Sequence, residues 1–402
     1  MHNNHELTSS PTRRSFLQLS AIAAAGIGFR VVTEPMLASA GEKPALKDGI
    51  YINANENPLG PAESARAAAS AIISQGGRYS SWLNEELIDT FAGIEGLKPN
   101  CIHTFPGSSE PLHYAVLAFT SPGKSYVTAD PGYEAGMYAA KISGARVVKV
   151  PLTKTFAHDA KAMLAAAPDG GLFYICNPNN PTGTVTSHED IEFLLANKPK
   201  DSIVIVDEAY IHLSDTPSTL DLVKADKDVI VLRTFSKIYG MAGLRAGFAI
   251  GRPDLLAKIS TYSGWNAMPI TAVAAATASL KDTRLIPERK RAYATVREQT
   301  FEWLRKNGYA FTPSQSNCFM LDTKRSAKSV IDDMASQKVF IGRAWPVWPT
   351  WVRITIGTPS EMDRFQSAFA TTMKGTAAAT ALPATPRLYT NHLDGLVLSE
   401  NV

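Results

Sequence analysis

The chain has 402 residues, 45% hydrophobic and 19% charged, with a formal net charge of +3. So balanced a charge argues against a nucleic-acid or membrane-surface binder, and the hydrophobic share argues against a disordered chain. Three cysteines cannot build a disulfide scaffold, and Cys101, Cys176 and Cys318 lack metal-ligand spacing. At about 150 residues per domain, the length predicts two or three domains.

The chain opens with a basic stretch, Thr12-Arg13-Arg14-Ser15-Phe16-Leu17-Gln18, followed by a modestly apolar run from Phe16 to Phe29. Ala38-Ser39-Ala40 then supplies small residues in the spacing of a cleavage site. This order reads as a secretory signal peptide over residues 1–40. The Arg pair before Ser-Phe-Leu resembles a bacterial twin-arginine signal, which implies the twin-arginine export machinery as a partner and a periplasmic or otherwise exported protein. A helix over the apolar run would be about 21 Å long, short of a bilayer's ~30 Å, so stable membrane insertion is not expected.

Downstream, short β-rich runs are predicted at Ser125–Thr128, Ala145–Val150, Gly171–Cys176, Ser202–Val206, Val229–Leu232 and Gly247–Ile250. Helical spacing fills the gaps at Pro111–Phe119, His158–Ala167 and His188–Ala196. Strands alternating with helices predict an α/β fold with a mainly parallel sheet flanked by helices. In such sheets, ligands sit beyond the carboxyl ends of the strands. Near residue 270 the pattern changes to long helices such as Arg284–Asn307, which predicts a smaller α+β domain. The boundaries read as an N-terminal arm or part of the small domain at 41–75, a large domain at 76–280, a small domain at 281–373 and a linker-like tail at 374–402.

Polar clusters gather at the ends of these elements. Cys176 is followed by Asn177-Pro178-Asn179-Asn180-Pro181-Thr182-Gly183, and another run closes on Asp207-Glu208-Ala209-Tyr210. Thr234-Phe235-Ser236-Lys237 follows a third, with Gly243-Leu244-Arg245-Ala246-Gly247 shortly after. Singly these are ordinary turns, caps and solvated lysines. Together, in this order within one α/β unit, they point to a built site.

With Asn53-Ala54-Asn55-Glu56-Asn57-Pro58 and Arg353-Ile354-Thr355-Ile356-Gly357, the set resembles the fold-type I pyridoxal-phosphate enzymes of aminotransferase class I/II. Within that class it is most like histidinol-phosphate aminotransferases. The resemblance spans roughly residues 48–373 and is specific for family and cofactor, less so for substrate. It implies a transaminase that moves an amino group from an amino acid, or a histidinol-phosphate-like amine, to a 2-oxo acid. The same cofactor also serves racemases, lyases and amino-acid oxidases, and the landmarks do not separate these. A non-enzymatic sensor would want a basic helix-turn-helix extension, where this chain has a leader instead.

The resemblance also implies roles. Pyridoxal phosphate is an electron sink whose aldehyde a lysine holds as a Schiff base; Lys237 matches that lysine. Asp207 matches the carboxylate facing the protonated pyridine nitrogen, and Asn180 and Tyr210 match the partners of the phenolic oxygen. Ser108 and Ser109, ahead of a helix, with Thr234, Ser236 and Arg245, match the phosphate ligands. Tyr133 matches the aromatic stacked on the ring. Tyr79 matches the tyrosine that reaches the neighbouring subunit's phosphate, implying a homodimer with shared active sites. Arg353 matches the arginine that grips the substrate α-carboxylate, Arg343 a position near the substrate's distal group, and Asn57 a position near the carboxylate.

The chain departs from the family pattern at Leu59, at Ser80-Ser81 and at Ser108-Ser109. Residues 345–351 concentrate three of the six tryptophans, Trp345, Trp348 and Trp351, between Arg343 and Arg353. Those rings either line a pocket for a flat or cationic side chain or pack the small domain.

Overall fold

Apolar runs without alternation make the heart of the molecule, because strands covered by helices on both faces leave no side for water. The structure, a computed structural model, describes residues 31–37, 48–264 and 268–374. Eleven strands are assigned among them: β1 (Ile50–Ile52), β2 (Ile102–Phe105), β3 (Ser125–Asp130), β4 (Val147–Pro151), β5 (Gly170–Cys176), β6 (Ile203–Asp207), β7 (Val229–Thr234), β8 (Gly247–Gly251), β9 (Cys318–Asp322), β10 (Val339–Ile341) and β11 (Trp351–Thr355). Every residue of β5, β6, β7 and β8 is buried.

Seven strands form one sheet in the order β2-β8-β7-β6-β5-β3-β4. From β4 to β7 all neighbours are parallel, whereas β8 runs antiparallel to both β7 and β2. Two reversals restore direction, so β2 points the same way as β7. Hence the loops after β2, β3, β5, β6 and β7 all open at one edge of the sheet. That edge is where ligands bind in open α/β sheets.

The C-terminal part has its own small sheets. β9 pairs antiparallel with β11, placing Arg353 opposite Met320, and β1 pairs in parallel with β10. The N-terminal strand therefore belongs with the C-terminal region, beside the helices Leu285–Lys306, Ala327–Ser336 and Pro359–Lys374.

Element ends differ from the sequence reading for local reasons. The strand expected from Ala145 starts at Val147, because Gly144 takes a left-handed φ of 71° and Ala145 donates back to Ala140 O to close the preceding helix. The helix expected from His158 starts at Ala160, since the Asp159 side chain accepts from Ala162 N at 2.9 Å as an N-cap. β2 has only four residues, with two half-buried in its middle, too weak a pattern to read from sequence.

No helix among the described residues is long and apolar enough to cross a membrane. The leader expected at 1–40 lies outside the described residues except for 31–37, and the tail from residue 375 lies wholly outside them.

Candidate active site

Strand termini set the positions of the polar groups. Asp207 is the last residue of β6, Thr234 the last of β7, and Asn177 follows β5 directly. Gly107 lies two residues beyond β2, and Ser108 caps the helix Ser109–Phe119 without making a side-chain capping bond. One cavity is lined by Ser108, Ser109, Tyr133, Asn180, Asp207, Tyr210, Thr234, Ser236, Lys237 and Arg245. Ten of the eleven expected cofactor residues are thereby brought together. The eleventh, Tyr79, is 92% exposed on the surface and does not line this cavity.

Lys237 is buried, and its Nζ donates to Asn55 O at 3.1 Å. Burial lowers its pKa, and the charge of Arg353 adds to the effect. Asp207 is buried too, accepting from Tyr174 Oη at 2.9 Å and from Ala209 N at 3.1 Å. Burial pushes its carboxyl up to about 6, despite both hydrogen bonds. Asn55 Nδ2 donates to Tyr210 Oη at 2.9 Å. Tyr133 Oη lies 3.3 Å from Ser109 Oγ.

Beside Lys237 is a cradle of hydroxyls and one guanidinium. Thr234 Oγ1 donates to Ser236 Oγ at 2.9 Å, and Arg245 Nη1 reaches the same oxygen at 3.3 Å. Arg245 is anchored by Ala242 O at 2.9 Å and Pro106 O at 3.0 Å. Gly107 has φ 87°, and a Cβ there would sit 2.2 Å from Arg245 Nη2. Only glycine lets the loop approach that closely.

These observations test the pyridoxal-phosphate expectation directly. A buried carboxylate raised to about 6 suits a cationic ring nitrogen. A buried amine of lowered pKa suits an aldehyde, and the glycine-walled cradle with its arginine suits a phosphate. The residues present fit the cofactor. Among the described residues, no cluster of three or more His, Cys, Asp or Glu is placed to hold a metal ion.

Arg353, fully buried on β11, donates through Nη1 to Asn180 Oδ1 at 2.9 Å and pairs through Nη2 with Glu34 Oε1 at 2.6 Å. The other Glu34 oxygen accepts from Asn180 Nδ2 at 3.2 Å. Burial alone would raise the Glu34 carboxyl, but Arg353, Arg343 and Lys237 together hold it below its usual value. Arg343 forms a two-pronged pair with Glu134, both contacts at 2.8 Å, and lies 3.9 Å from Glu34.

Asn57 departs from the expectation of a substrate contact. Its Nδ2 donates to Ile238 O at 2.9 Å and Lys237 O at 3.2 Å, while its Oδ1 accepts from Leu59 N at 3.0 Å. With all these sites committed to backbone, Asn57 positions the Lys237 turn and offers nothing to a carboxylate. Asn55, two residues earlier, is the neighbour that touches the site residues. Its φ of 54° explains why asparagine stands there, since that residue tolerates the left-handed region. The tryptophans divide: Trp345 is buried with Nε1 donating to Gly132 O at 3.0 Å, while Trp348 and Trp351 pack with Phe156.

Glu34, Asn55 and Glu134 were not singled out from sequence. Asn55 sat inside a recognised motif and Glu134 directly follows Tyr133, so proximity was the available signal. Glu34 fell within the stretch assigned to the leader and carried none.

Known proteins place this arrangement. The family model for aminotransferase class I and II matches residues 47–369. The histidinol-phosphate aminotransferase of Symbiobacterium thermophilum is 34% identical over 326 residues, covering 80% of this chain and 90% of its own. An aromatic amino acid aminotransferase of Cutibacterium acnes is 32% identical, over 82% of this chain and 94% of its own. The crystal structure of histidinol-phosphate aminotransferase from Sinorhizobium meliloti in complex with pyridoxal 5'-phosphate superposes with a TM-score of 0.76 at 26% identity, covering 91% of this chain and 99% of that one. A fold-type I sheet, a cavity fitted to pyridoxal phosphate and a family match across nearly the whole body lead to one conclusion: the chain belongs to the class I and II aminotransferases and is a pyridoxal-phosphate-dependent transaminase.

Proposed function

We propose that the donor is an α-amino acid or a histidinol-phosphate-like amine, the acceptor a 2-oxo acid, and that Arg353 and Asn180 seat the donor's anionic group beside Lys237. The observation that carries this is the Glu34 carboxylate. It lines the cavity of Lys237 while held by Arg353 and Asn180, so a carboxylate of suitable reach fits there.

When bound, pyridoxal phosphate supplies an electron sink for charge developing at the donor's amino-bearing carbon. Asp207 would hold a proton on the ring nitrogen, Asn180 and Tyr210 the phenolic oxygen, and Tyr133 the ring face. Ser108, Ser109, Thr234, Ser236 and Arg245 would hold the phosphate. Lys237 Nζ, its pKa lowered by burial, would accept the proton leaving the donor's amino-bearing carbon and return it to the cofactor's former aldehyde carbon. Arg353 fixes which bond at that carbon can break by fixing the anion.

Tyr79, exposed and away from its own cavity, is free to complete the phosphate site of a second copy in a homodimer. The leader sequence supports export by the twin-arginine route. A reporter fused to residues 1–40 is expected to lose export when Arg13 and Arg14 become lysine; unchanged export overturns that assignment.

The decisive experiment adds single L-amino acids to the purified, cofactor-loaded chain and follows both the visible absorption band and the 2-oxo acid released. Loss of the band with stoichiometric 2-oxo acid is expected, and Lys237→Ala should abolish both. Cofactor binding with no 2-oxo acid from any amino acid, and no ketone from histidinol phosphate, overturns the reading.

A further inference from the structure

The anion seat carries a charge count that the cofactor chemistry does not require. Two guanidiniums, Arg353 and Arg343, stand within 4 Å of the Glu34 carboxylate, at 2.6 and 3.9 Å. Arg343 does not bring its full charge to the seat, because Glu134 takes both of its terminal nitrogens at 2.8 Å. That pair is mostly buried, with side chains 16% and 21% exposed. Trp345 stiffens it from the other side: the Arg343 guanidinium lies 4.4 Å from the ring centroid, and the ring is pinned to Gly132 O. Glu134 itself is fixed at the N-terminal boundary of the helix Ala135–Ser143, one residue after Tyr133.

With Lys237 taken up by the bound cofactor, Arg353, Arg343 and Glu134 sum to a single positive charge, and one monoanion neutralises the seat. Glu34 is such a monoanion. A phosphate monoester, nearly a dianion at neutral pH, would leave one uncompensated negative charge in a poorly solvated place. We infer that Glu134 is a specificity-determining residue that sets this seat to one positive charge, so that the site takes α-amino monocarboxylates in preference to amines bearing a phosphate monoester. Arg343 is thereby a positioning residue for the wall of the seat, not a ligand for a second anion on the donor. This rests on the proposed function for the donor's identity, while the charge of the seat is open to test by binding alone.

The test uses the full-length, cofactor-loaded chain and two inert ligands with a common ring, 3-phenylpropionate and phenyl phosphate, titrated by the cofactor's absorbance. Glu34 competes equally with both, so their ratio reads the seat. The wild type is expected to bind the carboxylate more tightly by at least about tenfold, as one uncompensated charge at these distances requires. Glu134→Gln should shrink that ratio by about tenfold or more, and Glu134→Asp should preserve it. Equal binding by the wild type, or an unchanged ratio in Glu134→Gln, overturns the inference, as does failure of 3-phenylpropionate to bind the wild type. Separate addition of L-phenylalanine distinguishes the two readings. If it releases 2-oxo acid while the ratio is unmoved, only the charge assignment fails. If the ratio moves while no donor reacts, only transamination fails.

Discussion

The Glu34 carboxylate lies 2.6 Å from the buried guanidinium of Arg353, so the chain seats one of its own acidic side chains where the donor's anion is proposed to bind. A tethered group competes at a high effective concentration, of millimolar order for a short link. While the leader is uncleaved, any donor must displace it; cleavage after Ala40 would remove Glu34 and free the seat. Glu34→Ala in the full-length chain is therefore expected to lower the apparent KM for the amino donor by about tenfold, with a smaller change in kcat. Steady-state kinetics at several donor concentrations check this, and an unchanged KM would mean that Glu34 does not contest the seat.

Asp207 couples stability to function. Its carboxyl is raised from 3.8 to about 6 by burial, so ionising it costs the cofactor-free fold about 3 kcal/mol. The sign follows from the raised value: the unfolded chain gives up this proton first. The contribution is present below about pH 4 and is lost as pH rises through about 6. Asp207→Asn removes that loss. Stripped of cofactor, the variant is expected to melt higher than the wild type at pH 7.5 and to converge with it near pH 4. Loaded with cofactor the order should reverse, because the wild-type carboxylate then meets a cation. Melting curves against pH for both forms decide it; a wild type that outlasts the variant at pH 7.5 without cofactor refutes the argument.

The cavity was legible in sequence because its residues sit at strand ends, where apolar runs stop on a polar group. Asp207 and Thr234 close β6 and β7, and the Asn-rich turn follows β5. The rest depended on contacts distant in the chain. Asn57 looked like a substrate ligand because it lies in the right motif, yet its amide was already claimed by Ile238 and Lys237, about 180 residues away. Glu134 and Arg343 are 209 residues apart, and only the fold reveals that one charge cancels the other. Glu34 was hidden for a different reason: it lies in a stretch whose sequence reads as a leader, and no local pattern ties it to Arg353 at the far end of the chain.

Arg353 is fully buried and uses both terminal nitrogens, Nη1 toward Asn180 and Nη2 toward Asn53 O and Glu34. Lysine keeps the charge but has no planar fork to span both. Arg353→Lys is expected to reduce kcat/KM for the amino donor by about a hundredfold, equivalent to about 3 kcal/mol, mostly through KM. The cofactor's absorption band should stay, since no cradle residue is touched. A variant with normal donor affinity would remove Arg353 from the anion seat.

Gly107 gives the sharpest separation between fold and cofactor retention. Its φ of 87° strains any L side chain, and a Cβ would land 2.2 Å from Arg245 Nη2. The arginine tip can swing away, but then it loses Pro106 O, Ser236 Oγ and its aim into the cradle. A loop that moves to relieve this backbone strain of about 1–3 kcal/mol leaves its place beside the cradle, so Gly107→Ala should weaken cofactor binding by at least about tenfold. Arg245→Lys should weaken it too, by losing the rigid fork while avoiding the strain. Spectral titration of cofactor into each stripped variant measures both. If Gly107→Ala binds as tightly as the wild type while Arg245→Lys does not, the close approach of the loop is incidental and the guanidinium alone makes the cradle.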